Sequence, residues 1–269
     1  MKTLGKSSIF AILALVVAAL SGCSGGSGAG ASLSQADFFS NVTKSQTDAE
    51  TSHVTMTMDV GGETVKAEGD IKAGKSPADV EMALTMDMSA MGPEAPDEFE
   101  MRWVDEVVYM KLGDMTDGKF AAIDLTDESN PLGKTYGQML DSLDPASIGK
   151  FKDAVTEFEE KGDAIELDGV KAQPYRVEID TSKMKDAFGD LPPEALNAMP
   201  KTLSFTVYVG PDDLPRRMEM QIPTPGAIQG SMTMDYTDWG KPVDIAKPKA
   251  SEISDKDFFS ELGGPTPEA

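Results

Sequence analysis

The residue in this chain best placed to do chemistry is its single cysteine, Cys23. It follows a basic start, an apolar run over 9–20 and the small residues Ser21 and Gly22. That order is typical of an export signal that is cut just before the cysteine. The apolar run is too short to span a membrane, which takes about 20 apolar residues. An ordinary secretory signal with a chance cysteine is the alternative, but it leaves a lone cysteine in an exported chain unexplained.

The tetrapeptide Leu20-Ser21-Gly22-Cys23 resembles the lipobox of bacterial lipoproteins. The resemblance implies that Cys23 is diacylated on its sulfur and becomes the new N-terminus after cleavage. It also implies that the protein is anchored by lipid on the extracytoplasmic face of the cell membrane. With this thiol modified, no thiol remains for a disulfide or a thiolate metal site.

Composition along the chain predicts four segments. Residues 1–22 are the signal peptide, and 23–33 hold the lipidated cysteine and a flexible Gly/Ser-rich tether. Residues 34–262 are long enough for one sizeable domain. Residues 263–269 form a frayed tail.

The charge of the chain excludes two kinds of partner. The signal carries two of the 24 basic residues and none of the 46 acidic ones, so the mature chain has a net charge of −24. Nucleic acid requires clustered Lys and Arg, so it is excluded as a partner. Binding of a polybasic segment to anionic lipid headgroups is excluded for the same reason.

No catalytic or metal-binding set emerges, so we expect a protein that is not an enzyme and needs no cofactor. The only histidine, His53, has no second histidine or free cysteine near it with which to build a triad. The loop with Asp124, Asp127, Glu128 and Asn130 could bind Ca²⁺, but it lacks the regular spacing of such loops. A solvated turn is the simpler interpretation.

The body of the chain is dominated by alternation of apolar and polar residues. In the segment 54–60 every second residue is apolar, and the same holds over 80–88, 99–103, 203–209 and 218–222. A period of two places successive side chains on opposite faces of a strand. The pattern predicts about ten strands in one antiparallel sheet, apolar on one face only. Further strands are predicted over 64–72, 104–112, 119–124, 154–160, 164–167, 172–180 and 228–236.

Helices are few and short in this pattern. Ser34 is expected to cap a helix that runs through Phe38, Phe39 and Val42. Further short helices are predicted over 136–143, after Asp144, over 182–188 and over 192–198.

Methionine is the unusual residue type, with 17 in the chain. Many fall on the apolar faces of the predicted strands, where branched residues are the usual choice. Methionine is flexible and suits surfaces that accept variable apolar shapes. One interpretation is a lipid-sized cavity, and a filled methionine-rich core is the other. The candidate lining residues are Met56, Met58, Met82, Met86, Met101, Trp103, Phe205, Met218, Met220, Met232 and Met234.

A lipobox, a Gly/Ser tether and an alternating-strand body resemble the LppX/LprA/LprF/LprG lipoproteins of actinobacteria. The hairpin segment 208–218 and the strand 175–180 carry the likeness within the body. The resemblance implies an α+β fold: a single curved antiparallel β-sheet, or half-barrel, with short helices packed on its concave side, like LolA and LolB. It also implies binding of lipids or acylated glycolipids on their way to the outer envelope.

Two functions therefore stand against each other. The first is a membrane-anchored carrier that binds acyl chains in an apolar cavity, with a membrane transporter as a further partner left open. The second is an anchored envelope scaffold with a filled core and no ligand. A hydrolase with a cryptic site is a weaker third. Lipid that copurifies with the body would distinguish the carrier from the scaffold.

Overall fold

The computed structural model describes residues 34–74, 79–92, 96, 98–127, 154–184, 200–223 and 229–255. The predicted signal, Cys23, the tether and the tail lie outside these residues, as do the helices predicted over 136–143, after Asp144 and over 192–198. The elements in chain order are helix α1 (Gln35–Ala49) and strands β1 (Thr51–Val60), β2 (Glu63–Lys72), β3 (Glu81–Asp87), β4 (Glu98–Val104), β5 (Val107–Lys111), β6 (Ala121–Asp124), β7 (Val155–Glu160), β8 (Ile165–Leu167), β9 (Val170–Asp180), β10 (Thr202–Val209), β11 (Pro215–Pro223) and β12 (Gln229–Thr237).

The predicted α+β class, dominated by antiparallel sheet, is confirmed. In the described part of the chain, the strand pairs of the sheet are antiparallel. Short 3-10 turns occur at Ser89–Met91, Gly113–Thr116, Thr181–Met184 and Ala250–Glu252. The third of these stands at the start of the helix predicted over 182–188, whose remainder lies outside the described residues.

The chain divides into two compact units. Of the described residues, the first unit takes 34–48, 154–184 and 200–216, and the second takes 49–74, 79–92, 96, 98–127, 217–223 and 229–255. The predicted single domain over 34–262 stays a prediction. Each unit is described separately below.

In the first unit, helix α1 begins where the sequence predicts. The Ser34 hydroxyl oxygen accepts a hydrogen bond from the Asp37 backbone N–H at 3.2 Å and donates one to the Asp37 carboxylate at 2.6 Å. This capping satisfies one of the helix's free N–H groups. Phe38, Phe39 and Val42 are all buried, as expected for the apolar face of this helix.

The sheet of the first unit has strand order β10-β9-β7, with β8 also paired to β9. Phe38 packs against it, with its ring centroid 4.9 Å from that of Tyr175 and 5.0 Å from that of Phe158. The rings of Phe158 and Tyr175 are stacked at 5.6 Å. We call Phe38, Phe39, Phe158 and Tyr175 the aromatic cluster; its rings fill the space between helix and sheet.

The strands of the second unit follow the order β6-β5-β4-β3-β2-β1-β12-β11. Gly61 and Gly62 both have positive φ, 65° and 93°, and form the tight hairpin turn between β1 and β2. The strand predicted over 104–112 is wrong at its start. Asp105 and Glu106 adopt positive φ of 53° and 60° and form the turn between β4 and β5.

A C-terminal strap, residues 238–255, follows β12 in the second unit. Its Gly240 N–H donates to the Thr51 carbonyl at 2.9 Å, and its Ala246 carbonyl accepts from Arg102 at 3.2 Å. Farther along, the Phe120 N–H donates to the Glu252 carbonyl at 2.8 Å. The strap thus pairs next to β6, and the sequence pattern did not predict this.

Candidate functional site

Six methionines of the second unit form one continuous patch, which we call the methionine block. It consists of two rows that cross β1, β12 and β11. In one row Met56 pairs with Met234, which pairs with Met218. In the other, Met58 pairs with Met232, which pairs with Met220. Directly opposed residues of an antiparallel pair have Cβ atoms about 4.5–5.5 Å apart, so each methionine of the block neighbours the one it is paired with.

All six side chains of the block are buried, with exposed fractions between 1% for Met232 and 7% for Met58 and Met220. The rows continue on the same face of the neighbouring strands. Met56 pairs with Ala67 on β2, which in turn pairs with Met86, and Met58 pairs with Val65. The block is therefore one part of a wider apolar face of the second unit.

Gly69 lies in the next row of this face, where the backbones of β2 and β3 approach closely. A Cβ atom at this position would lie 1.9 Å from the carbonyl oxygen of Ala83 and 2.8 Å from the Leu84 side chain. Glycine in a strand interior often marks such an approach or a bend. Only a residue without a side chain fits between Val54 and Leu84 in this row.

Among the described residues on the apolar face of the second unit, two polar side-chain atoms are buried without a hydrogen-bond partner. They are the hydroxyl oxygen of Tyr236 and the indole Nε1 of Trp103. Burial raises the pKa of the Tyr236 phenol well above its usual value, so the group keeps its proton. The Tyr236 ring stacks on Trp239 at 5.9 Å.

The opposite face of these strands is polar, as the alternation predicts. Arg217 forms an ion pair with Asp235 at 2.6 Å, and the His53 ring nitrogen lies 2.9 Å from the Asp70 carboxylate. The predicted register is confirmed because none of the residues assigned to this face is buried: Thr55, Thr57, Glu81, Asp87, Glu100 and Arg102.

The structure brings most of the predicted lining residues into one unit. Met82 and Met86 are buried on β3, and Met101 and Trp103 are half-buried on β4, all on the same face as the methionine block. Phe205 belongs instead to the first unit, where it pairs with Val177.

Three aromatic or methionine residues of the apolar face were not among the predicted lining residues: Phe99, Met110 and Tyr236. Their alternation with polar neighbours was a usable signal for all three. The missing hydrogen bond of Tyr236 had no sequence signal.

The described residues show little that could do catalysis or bind metal. No group of three or more His, Cys, Asp or Glu side chains among them could hold a metal ion. The Asp124 carboxylate accepts hydrogen bonds from the N–H and hydroxyl of Thr126, at 2.8 and 2.6 Å. Asp124 thus closes its own turn, and Glu128 and Asn130 lie outside the described residues.

No helix within the described ranges is long and apolar enough to cross a membrane.

These features define a class: an α+β protein with a mostly antiparallel sheet and a methionine-rich apolar face. No protein-family model matches the chain, and no curated protein matches it.

Among solved structures, the chain is similar to LprF from Mycobacterium bovis, with a TM-score of 0.46, 17% identity, and coverage of 77% of this chain and 95% of that one. LprF is one of the lipoproteins that the sequence resembles. The chain is also similar to the MucA/MucB complex of Pseudomonas aeruginosa, with a TM-score of 0.36, 14% identity and coverage of 78% of this chain and 58% of that one. A protein of the DUF1329 family from Desulfovibrio piger gives a TM-score of 0.25 at 12% identity, covering 73% of this chain and 88% of that one.

Proposed function

We propose that this protein is a membrane-anchored, non-enzymatic lipoprotein that binds the acyl chains of lipids or glycolipids for transport to the outer envelope. The observation that carries the proposal is the methionine block, six buried methionines paired across three adjacent strands. A sheet that needs only a rigid core uses branched and aromatic residues at such positions.

Methionine suits an apolar ligand because its unbranched thioether side chain adopts many shapes at low cost. The block can therefore repack when an acyl chain enters. The driving force is burial of apolar surface, at about 25 cal/mol per Å². Because that free energy depends little on the identity of the chain, we expect the block to accept acyl chains of several lengths.

Cys23 is the proposed anchor, on the strength of its position directly after the predicted signal. Cys23→Ala should release the protein into the soluble fraction or leave it unprocessed. Phase partition in detergent measures this. A variant that is still processed and still partitions into the detergent phase would remove the basis for the anchor.

The proposed binding is tested by native mass spectrometry of the purified protein, which should carry copurified lipid. The variant Met232→Gln places an amide between Met58 and Met220, its two cross-strand neighbours. It should weaken binding of a fluorescent fatty acid at least tenfold. Burying the unpaired amide also costs about 1–3 kcal/mol of stability, so binding is measured where both proteins remain folded.

Thr233→Gln is the matched control, since Thr233 is the next residue on β12 and lies on the polar face. It should change neither binding nor the denaturation midpoint appreciably. A protein that never carries lipid, and whose Met232→Gln variant loses stability with no binding to lose, contradicts the proposal. That result favours the envelope scaffold with a filled core.

A further inference from the structure

The Tyr236 hydroxyl is a hydrogen-bond donor without a partner among the described residues. Its side chain is 5% exposed, and its oxygen has no hydrogen-bond partner. Buried polar atoms in folded proteins are nearly always paired, because an unpaired one forfeits the hydrogen bonds it made to water. An exception of this kind calls for a partner that the described residues do not provide.

The two ends of the apolar face, taken along the strands, differ in chemistry, because Tyr236 lies beyond the methionine block. Tyr236 lies two residues beyond Met234 on β12 and pairs with Val54 on β1. Two residues along a strand span about 6.6 Å. The methionines thus occupy the end of the face near the Gly61–Gly62 hairpin, and the hydroxyl occupies the other.

The second unpaired donor lies toward that same end. Trp103, whose Nε1 is buried without a partner, pairs with Met82. Met82 pairs with Ile71, which pairs with Ser52, the residue two positions before Val54 on β1. The end of the face that holds the methionine block is therefore apolar. The other end carries two hydrogen-bond donors, the Tyr236 hydroxyl and the Trp103 indole N–H.

The distribution of charged side chains restricts what these donors can bind. Among the described residues, no Asp, Glu, Lys or Arg is buried. An ionised carboxylate or phosphate brought to Tyr236 would have no buried cation to offset its desolvation. A neutral oxygen needs none, and the carbonyl of an acyl ester is the neutral acceptor that is attached directly to an acyl chain.

We propose that Tyr236 selects and orients the ligand by donating a hydrogen bond to the carbonyl oxygen of an acyl ester, with the chain running over the methionine block toward the Gly61–Gly62 hairpin. This inference rests on the proposed lipid binding. Tyr236 is thus a specificity-determining residue that distinguishes esterified acyl chains from free fatty acids and from ether lipids. The raised pKa of the phenol supports this role, because the hydroxyl stays protonated as a donor at neutral pH.

The test uses the full chain with Cys23→Ala in every variant, so that no acyl group on this residue competes. Two probes differ only in the carbonyl: dipalmitoylglycerol, an ester, and dihexadecylglycerol, its ether analogue. Their affinities are measured by displacement of a fluorescent fatty acid. The protein with Tyr236 should bind the ester about tenfold more tightly than the ether, the effect of one buried hydrogen bond.

Tyr236→Phe removes the oxygen and keeps the ring. It should abolish the ester preference while leaving the ether affinity and the unfolding midpoint of the ligand-free protein unchanged or higher. Tyr109→Phe is the control, since Tyr109 is also buried in the second unit but alternates on β5 with Val108 and Met110 of the apolar face. Its variant should keep the full ester preference.

The outcomes separate the two proposals. If ester and ether bind equally to the protein with Tyr236, or if Tyr236→Phe leaves the preference intact, this inference is overturned while lipid binding stands. If palmitate binds more tightly than the ester, the inference is also overturned. If no probe binds at all, both proposals fall.

Discussion

The two units of this chain bury apolar surface in opposite ways. In the first, the four rings of the aromatic cluster fill the space between helix α1 and its sheet, and Phe38 is fully buried. In the second, the same task is done by six methionines in two cross-strand rows. Aromatic rings have few conformations and pack with defined geometry, whereas methionine has three rotatable bonds.

The difference teaches where this molecule can change shape at low cost. Removing or shifting a ring in the aromatic cluster leaves a void that its neighbours cannot fill. A methionine row can adjust to an added or missing group by changing rotamers. The aromatic cluster is thus the rigid part of the chain, and the methionine block is the adaptable part.

The largest expected effect is on the aromatic cluster. Phe38→Ala should lower the free energy of unfolding by about 3–5 kcal/mol, since it removes a fully buried ring that contacts three others. Urea denaturation followed by circular dichroism measures the loss. Lys44→Ala, an exposed change on the same helix, should cost less than about 1 kcal/mol. A loss below about 1 kcal/mol for Phe38→Ala would remove the contrast between the two units.

A smaller loss of stability is expected at Gly69, where the close approach of β2 and β3 leaves the second unit no room to adjust. Gly69→Ala places a Cβ atom 1.9 Å from the Ala83 carbonyl oxygen, so the backbone must shift. Overpacking of this kind costs about 1–3 kcal/mol. Both tryptophans of the chain, Trp103 and Trp239, lie in the second unit, so their fluorescence during urea denaturation reports the change. Glu68→Ala, on the polar face of the same strand, is the control, and equal stability of the two variants would contradict the close approach.

The smallest effect concerns a charge at the edge of the aromatic cluster. Partial burial raises the pKa of the Asp213 carboxyl above its usual value of 3.8, against a hydrogen bond from Asn41 that lowers it. The folded state therefore takes up a proton before the unfolded state does, and this group destabilises the protein most above its folded pKa. Asp213→Asn should raise the melting temperature at neutral pH, and the gain should shrink as the pH falls toward 3.8.

Asp212→Asn is the control for that experiment, because it should change the melting temperature in the opposite direction. Asp212 is ion-paired with Arg216, so its loss should lower the melting temperature at neutral pH. The interpretation of Asp213 fails if its variant is less stable than the parent at neutral pH, or if the difference does not depend on pH.

The strands were predictable because their signal is local. Alternation over 54–60 places Met56 and Met58 on one face without knowledge of any partner, and burial of both confirms it. The helix from Ser34 was predictable for the same reason, since a cap and an apolar stripe lie within a dozen residues. The turn at Asp105 and Glu106 was missed because neither residue is the glycine or asparagine that such φ values favour.

Features that depend on distant partners could not be predicted. Nothing in the sequence places Met218 beside Met234 rather than beside another alternating strand, yet this register creates the methionine block. Likewise Phe205 has the same local pattern as the methionines and belongs to the other unit. The unpaired hydroxyl of Tyr236 is a property of its surroundings, which alternation does not encode.

The pairing of β1 with β12 sets the order in which the protein can be built. His53 pairs with Asp70 across a local hairpin, but it also pairs with Thr237, 184 positions later in the chain. Local hairpins form within about 1–10 μs, whereas contacts between distant residues form slowly, since the long intervening loop must be closed first. Met56 and Met58 therefore cannot be covered by their partners on β12 until Met232 and Met234 have been synthesised. We therefore expect the most adaptable part of the molecule to assemble late in folding, and its exposed methionines to favour aggregation until then.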